Sequence, residues 1–260
     1  MTYSTIKLAY DSRIATITFS RPEKRNALNV QMIEEILAAL AEVKSSDALV
    51  LIITGAGKAF CAGMDLEELK SLSTKSPAES TIDSERMARL FRSIFEFPKP
   101  TIAAVNGAAM AGGAGIATMC DFTIALAEAT FGYTEVRIGF IPAIVSSVLV
   151  WQVGHKVARD LLLTGRVFEA AEAKILNLVN EVASPKRLLP RARELAQQLQ
   201  ENSPTAIRLT KKLLNSFLEK PLDQQIANAV RENAAIRQTA DFQEGVASFL
   251  EKRKPIWSGK

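Results

Sequence analysis

Three short and almost unbroken apolar runs, Ala48 to Thr54, Thr101 to Val105 and Phe122 to Ala127, constrain the fold more than any other feature of this chain. A strand with one face in water alternates apolar and polar residues, whereas a strand covered on both faces reads as a continuous apolar run. Each run here follows a stretch with helical character. Val30 to Val43 sets Ile33, Ile36, Leu37 and Leu40 on one helical face, a helical stretch extends from about Pro77 to Phe97, and a glycine-rich helix precedes Phe122. Repeated alternation of helix and buried strand predicts an α/β fold built on a parallel sheet. Ahead of it, Ala15, Ile17 and Phe19 alternate with Thr16 and Thr18, a half-buried strand that Ile6 to Tyr10 can pair with in an opening hairpin.

Beyond about Pro142 the strand signals thin out, and the last seventy residues read as helical. Ser203 and Pro204 form an N-cap and first-turn pair, after which Ile207, Leu213, Leu214 and Phe217 make an apolar face. These patterns divide the chain into a core, residues 1–195, and a helical C-terminal region, residues 196–260. The polar stretch Ser71 to Glu85 reads as a mobile loop that can border a site rather than as a domain linker.

With 260 residues, 48% of them hydrophobic, the chain can bury a sizeable core. It shows no run long enough to span a bilayer and no basic-then-apolar leader, so a cytoplasmic location is the expectation. Cys61 and Cys120 stand alone in apolar contexts and read as reduced core thiols, not as a disulfide framework or a metal site. The single histidine, His155, leaves no pair for a metal centre, and its place at a helix start suits a surface or capping role. A net charge of +4 is spread along the chain, which suits a phosphorylated small molecule and does not require a nucleic acid.

The richest stretch chemically is Asn106 to Pro142. It joins a glycine-rich turn, a helix start and one acidic residue, Glu135, among apolar neighbours. Outward-pointing N–H groups at such a turn can hold an anion or an oxyanion, and a nearby carboxylate can carry a proton beside it. Val136, Ile138 and Phe140 suggest an apolar wall that favours the protonated acid of Glu135 and brings its pKa toward neutrality. A dinucleotide reading of Gly113 and Gly115 fails because Thr118 replaces the third glycine of that fingerprint. A second small-residue turn, Lys58 to Leu69, also lies between a buried strand and a helix. Two such turns at the ends of neighbouring strands could each give one N–H to the same oxygen.

Four segments, Arg21 to Asn29, Ala59 to Leu66, Asn106 to Gly115 and Phe131 to Pro142, together with a fifth at Glu244 to Trp257, resemble the enoyl-CoA hydratase/isomerase (crotonase) family over nearly the full length. The resemblance implies a spiral ββα core with a helical C-terminal trimerisation region, a homotrimer or homohexamer, and an acyl-CoA thioester as substrate. Coenzyme A is then part of the substrate, and no separate cofactor or metal is implied. It assigns the oxyanion hole to the N–H groups of Met64 and Gly112 and the proton carrier to Glu135. Arg25, Ala62, Asp65 and Leu66 match positions around the CoA phosphates, adenine and pantetheine, while Phe249 and Lys252 match a tail that reaches the nucleotide, often from a neighbouring subunit. Asp65 also reads as a helix N-cap.

The chain departs from the pattern at Gly115, where hydratases of the family carry a first glutamate. Its absence leaves room for a branched or carboxylated acyl group, as in the methylglutaconyl-CoA hydratase-like bacterial members of leucine breakdown. Three readings stand: a lyase adding or removing water on a 2-enoyl-CoA, a Δ3,Δ2-enoyl-CoA isomerase using Glu135 alone, and a non-catalytic binder of acyl-CoA or RNA.

Overall fold

The computed structural model of the protein describes residues 3–259. Strands β1 (Ile6–Asp11) and β2 (Ile14–Phe19) form the expected antiparallel hairpin, with Ile6 opposite Phe19. Helix α1 (Val30–Ser45) starts where the Asn29 side chain accepts the Met32 N–H at 2.9 Å, and it buries Met32, Ile33, Ile36, Ala39, Leu40 and Val43.

The chain then repeats a ββα turn. The first turn comprises β3 (Val50–Gly55), β4 (Ala59–Cys61) and the helices α2 (Leu66–Leu72) and α3 (Pro77–Phe95). The second is β5 (Thr101–Val105), β6 (Ala108–Met110) and α4 (Gly112–Met119), and the third is β7 (Phe122–Leu126), β8 (Thr130–Gly132) and α5 (Ala143–Thr164). Strand β9 (Val167–Glu169), helix α6 (Ala170–Ile175) and strand β10 (Glu181–Ala183) follow. From β3 to β8 successive strands go alternately to two sheets, one ordered β1-β2-β3-β5-β7-β10 and the other β4-β6-β8-β9. Each turn thus adds one strand to each sheet, which is a spiral of ββα units. The central strands of the large sheet are parallel and buried along nearly their whole length, as their unbroken apolar composition requires.

The last helices are α7 (Leu188–Gln200), α8 (Pro204–Ser216), α9 (Glu219–Ile236) and α10 (Ala240–Glu251). Helix α7 packs on the large sheet through Ala192 and Ala196, and α9 packs against α3 and α5. Ser203 caps α8 as its sequence suggests, and the apolar residues Leu209, Leu213, Leu214 and Phe217 of that helix and its C-cap lie exposed. Helix α5 breaks at Gly154, with φ of 74°, so the exposed His155 begins its second half.

Two expectations need correction. Ser71 to Glu85 is mostly helical: α2 extends to Leu72, and α3 begins at Pro77 behind a complete capping box between Ser76 and Glu79. The polar side chains that suggested a loop are the cap itself, exposed residues of the first turns, and two serines, Ser80 and Ser84, that the fold buries. The three-residue strands β9 and β10 carry no readable alternation and emerge only from their pairing with β8 and β7.

Candidate active site

Strands β4, β6 and β8 lie side by side and parallel, so the segments leaving their C-terminal ends meet at one edge of the small sheet. Met64 follows β4, Gly112 follows β6 and Glu135 follows β8, each within three residues of its strand end. All three line one cavity of about 520 Å³.

The first turn is fixed by the loop from Arg21 to Leu28. Ala62 donates its N–H to the Arg25 carbonyl, Leu28 donates to the Gly63 carbonyl at 2.7 Å, and Asp65 donates to the Leu28 carbonyl at 2.8 Å. This parallel bridge uses the N–H groups of residues 28 and 65 and leaves that of Met64 on the opposite side of the chain. Gly63, with φ of 93°, touches the second turn: a Cβ there would lie 3.2 Å from the Ala111 Cβ. In that second turn Ala111 has φ of 47° and ψ of −119°, a conformation that is strained for any residue with a side chain. It aims the start of α4 into the cavity. The N–H of Gly112, at the first position of α4, has no carbonyl within the helix to bond to. Gly113 permits the approach, since a Cβ there would lie 2.2 Å from the Cys61 carbonyl oxygen. Residues Met64 and Gly112 of two neighbouring turns therefore line one cavity.

Glu135 opens a short 3-10 turn, Glu135–Ile138, and is half-buried rather than an exposed strand-end carboxylate. Its Oε2 is buried with no hydrogen-bond partner. Burial pushes its pKa up to about 7. Tyr133, two residues earlier, anchors this segment by a 2.6 Å hydrogen bond with the hydroxyl of Thr118 on α4. The residue that spoils the dinucleotide fingerprint thus ties α4 to the segment that carries Glu135.

Asp65 is the helix N-cap that its sequence context suggests, and it also pairs with Arg21, a partner the sequence did not indicate. Its Oδ1 accepts the Glu67 N–H at 3.0 Å, and its Oδ2 accepts from Arg21 Nη2 at 2.7 Å. Burial alone would raise its pKa, but the Glu67 N–H and the Arg21 guanidinium outweigh that and hold it below the usual value. Asp65→Ala is expected to lower stability by about 1–3 kcal/mol, because the helix loses its cap and Arg21 loses its partner. Denaturant midpoints measured at neutral pH check this.

Arg25, Ala62, Leu66 and Phe249 line the same cavity. Arg25, Leu66 and Phe249 are exposed at its mouth, together with Lys24, which the sequence did not single out. Lys252 ends α10 in a left-handed conformation, is exposed, and is not among the lining residues. Gly115 does not reach the cavity either. A Cβ at Gly115 would lie 2.5 Å from Phe91 Cζ, so the ring of Phe91 fills the space that the missing glutamate was expected to leave open. Asp83, Met87 and Phe91, each one turn apart on α3, all line the cavity. Their spacing marks one helical face, but only the packing of α3 against α4 shows what that face meets. Cys61 and Cys120 are buried free thiols, which burial pushes up to about 12.

Comparison with known proteins agrees with this architecture. The family model described as enoyl-CoA hydratase/isomerase matches residues 10–260. A protein of Thermus thermophilus is 44% identical over 243 residues, covering 93% of this chain and 96% of the relative. The crotonyl-CoA hydratase of Syntrophomonas wolfei is 36% identical over the whole of both chains. The crystal structure of an enoyl-CoA hydratase/isomerase from Xanthobacter autotrophicus Py2 superposes with a TM-score of 0.89 at 30% identity, covering 97% of this chain and 98% of that one. With the ββα spiral, the paired turns and a match over nearly every residue in agreement, the chain belongs to the enoyl-CoA hydratase/isomerase family.

Proposed function

We propose that the protein adds and removes water across the double bond of a 2-enoyl-CoA, with Glu135 as the proton carrier. The observation that carries this reading is the half-buried Glu135 carboxyl, whose Oε2 is buried without a partner and whose pKa burial raises to about 7, in the same cavity as the turns at Met64 and Gly112. In the forward direction the oxygen of water bonds to C3 and the C2=C3 electron pair moves toward the thioester, making an enolate. The N–H groups of Met64 and Gly112 stabilise the oxygen that gains charge. C2 then takes a proton from Glu135, which recovers one from the attacking water. Arg25 and Lys24 at the mouth offer positive charge to the CoA phosphates, and Leu66 and Phe249 offer apolar surface to the rest of the carrier.

One observation favours double-bond migration as the second reading. Phe91 against Gly115 makes the wall near the start of α4 apolar, and a single carboxylate suffices to move a proton between C2 and C4. Turnover of a 2-enoyl-CoA and of a 3-enoyl-CoA in heavy-oxygen water separates the two. Label at C3 of the product is the result expected for hydration; migration without label would overturn it in favour of isomerisation. If neither substrate reacts, the catalytic reading fails and a non-catalytic binder takes its place.

The exposed apolar residues Leu209, Leu213, Leu214 and Phe217 support assembly as a homotrimer or homohexamer. Sedimentation at micromolar concentration is expected to give one of these masses, and a fully active monomer would remove the idea.

A further inference from the structure

Helix α10 brings Gly245 into direct backbone contact with the 3-10 turn that Glu135 opens. A Cβ at Gly245 would lie 2.2 Å from the Ile138 carbonyl oxygen and 2.9 Å from the Gly139 nitrogen. On the other side of the contact, Gly139 has φ of 67°, and its Cβ would lie 2.4 Å from the Asp241 carbonyl oxygen. Two glycines thus let one backbone rest on the other, with no side-chain rotamer between them to take up slack. Phe140, the next residue, has its ring centre 5.3 Å from that of Phe242 and 5.5 Å from the Arg237 guanidinium. Arg237 is itself fixed: buried at the end of α9, it donates to Ser84 Oγ at 3.2 Å and to Asn233 Oδ1 at 3.0 Å, and it pairs with Asp83. The Phe140 N–H returns to the Glu135 carbonyl at 3.0 Å, so the residues that α10 touches close a ring on Glu135.

The same helix also reaches the segment behind Met64. Phe242 and Val246 of α10, Leu69 and Leu72 of α2, and Ile138 and Phe140 of the turn region form an apolar cluster separate from the main core, with Met64 packed against it. Gln243 Nε2 adds a 3.0 Å hydrogen bond to the carbonyl of Ser73, the C-cap of α2. Helix α10 therefore spans the segments that leave β4 and β8. We propose that α10 is a positioning element of the site, in which Gly245 and Phe242 set the Glu135 turn against the turn at Met64. A displacement of ~1 Å at a reacting group costs about 100-fold in rate, so a backbone contact three residues from Glu135 is close enough to control it. The catalytic consequence rests on the enoyl-CoA reading above, whereas the placement of the turn is tested without substrate.

Two variants and two readouts test this. Phe242→Leu keeps the cluster apolar but removes the ring that meets Phe140, and Gly245→Ala drives a methyl group into the Ile138 carbonyl. Turnover of crotonyl-CoA is expected to fall about 10-fold in the first and about 100-fold in the second, while Phe242→Leu binds the saturated butyryl-CoA within about 3-fold of the wild type. Hydrogen exchange of the Arg137, Gly139 and Phe140 amides, which bond within the turn, is expected to quicken about 10-fold in Phe242→Leu while Leu51 to Ile53 in β3 stay unchanged. Exchange that is unaltered, or that quickens equally throughout the chain, overturns the proposal, and so does wild-type turnover in a variant whose turn has loosened. Should neither variant fold, the wild type still decides: the turn and α10 are expected to open together with the same protection, and a turn that exchanges independently of α10 overturns the idea. Local loosening in a protein that turns over no enoyl-CoA would remove the catalytic reading and leave α10 as the element that places the turn.

Discussion

Glu135→Gln is expected to lower turnover of an enoyl-CoA by about 100- to 10,000-fold while leaving the affinity for a saturated acyl-CoA nearly unchanged. The carboxyl lies at the start of the 3-10 turn, whereas Arg25, Leu66 and Phe249, proposed to meet CoA, are exposed cavity-lining residues, so the two functions should be separable. An unchanged rate constant would show that another group carries the proton. The same substitution has a stability signature of known sign. Burial raises the folded-state pKa of Glu135 to about 7, above the ordinary glutamate value of 4.5, so the folded state holds the proton more tightly. Its contribution to stability is fully present below about pH 4.5 and is lost as the pH rises through about 7. Glutamine stays neutral throughout and escapes that loss. The variant should therefore gain on the wild type as pH rises, reaching on the order of 3 kcal/mol near pH 8. Denaturant midpoints at pH 5 and pH 8 measure the difference; parallel pH profiles for the two proteins would mean that the carboxyl is solvated.

The second large effect concerns Gly115 and Phe91. Because even a methyl group at Gly115 would press on the Phe91 ring at 2.5 Å, Gly115→Ala should destabilise the protein by about 1–3 kcal/mol, the usual cost of overpacking. Phe91 is 4% exposed and lines the cavity, so a displaced ring takes space from the acyl group, and turnover should fall as well. Gly115→Glu should be worse, since it also brings a charge into an apolar contact. Combining Gly115→Glu with Phe91→Ala removes the obstruction and provides a second carboxylate across from Glu135. That double variant should add water to a small straight-chain enoyl-CoA faster than Phe91→Ala alone. If Gly115→Ala is as stable and as active as the wild type, the ring yields freely and is not a fixed wall of the site.

Much of this was open to reading along the chain because it depends on local rules. The apolar runs at Val50–Gly55, Thr101–Val105 and Phe122–Leu126 could only be strands covered on both faces, and such strands in alternation with helices leave few arrangements. Asp65 and Ser203 announced their helices by the same hydrogen bonds that they make in the fold. Met64, Gly112 and Glu135 were identifiable as one constellation because their segments match a family pattern in order and spacing, and parallel strands carry all three to one edge. The Ser71 to Glu85 segment misled because a capping box and a loop use the same polar residues, and composition does not show which way a serine points.

What lies behind Gly115 was decided elsewhere. The missing side chain says only that a volume is free; the tertiary structure gives that volume to Phe91, twenty-four residues earlier on a different helix. Arg237 was equally silent in the sequence, where it is one of 32 basic residues in a chain that distributes them evenly. Its burial, its hydrogen bond to Ser84 and its ion pair with Asp83 arise from the packing of α9 against α3, a contact between segments some 150 residues apart. The sequence by itself determined the main elements, their order and the edge where the candidate site lies, since backbone hydrogen bonding and apolar periodicity act over a few residues. Only the tertiary structure decided what fills the space around that edge, because close packing is settled by whichever distant side chains the fold brings into contact.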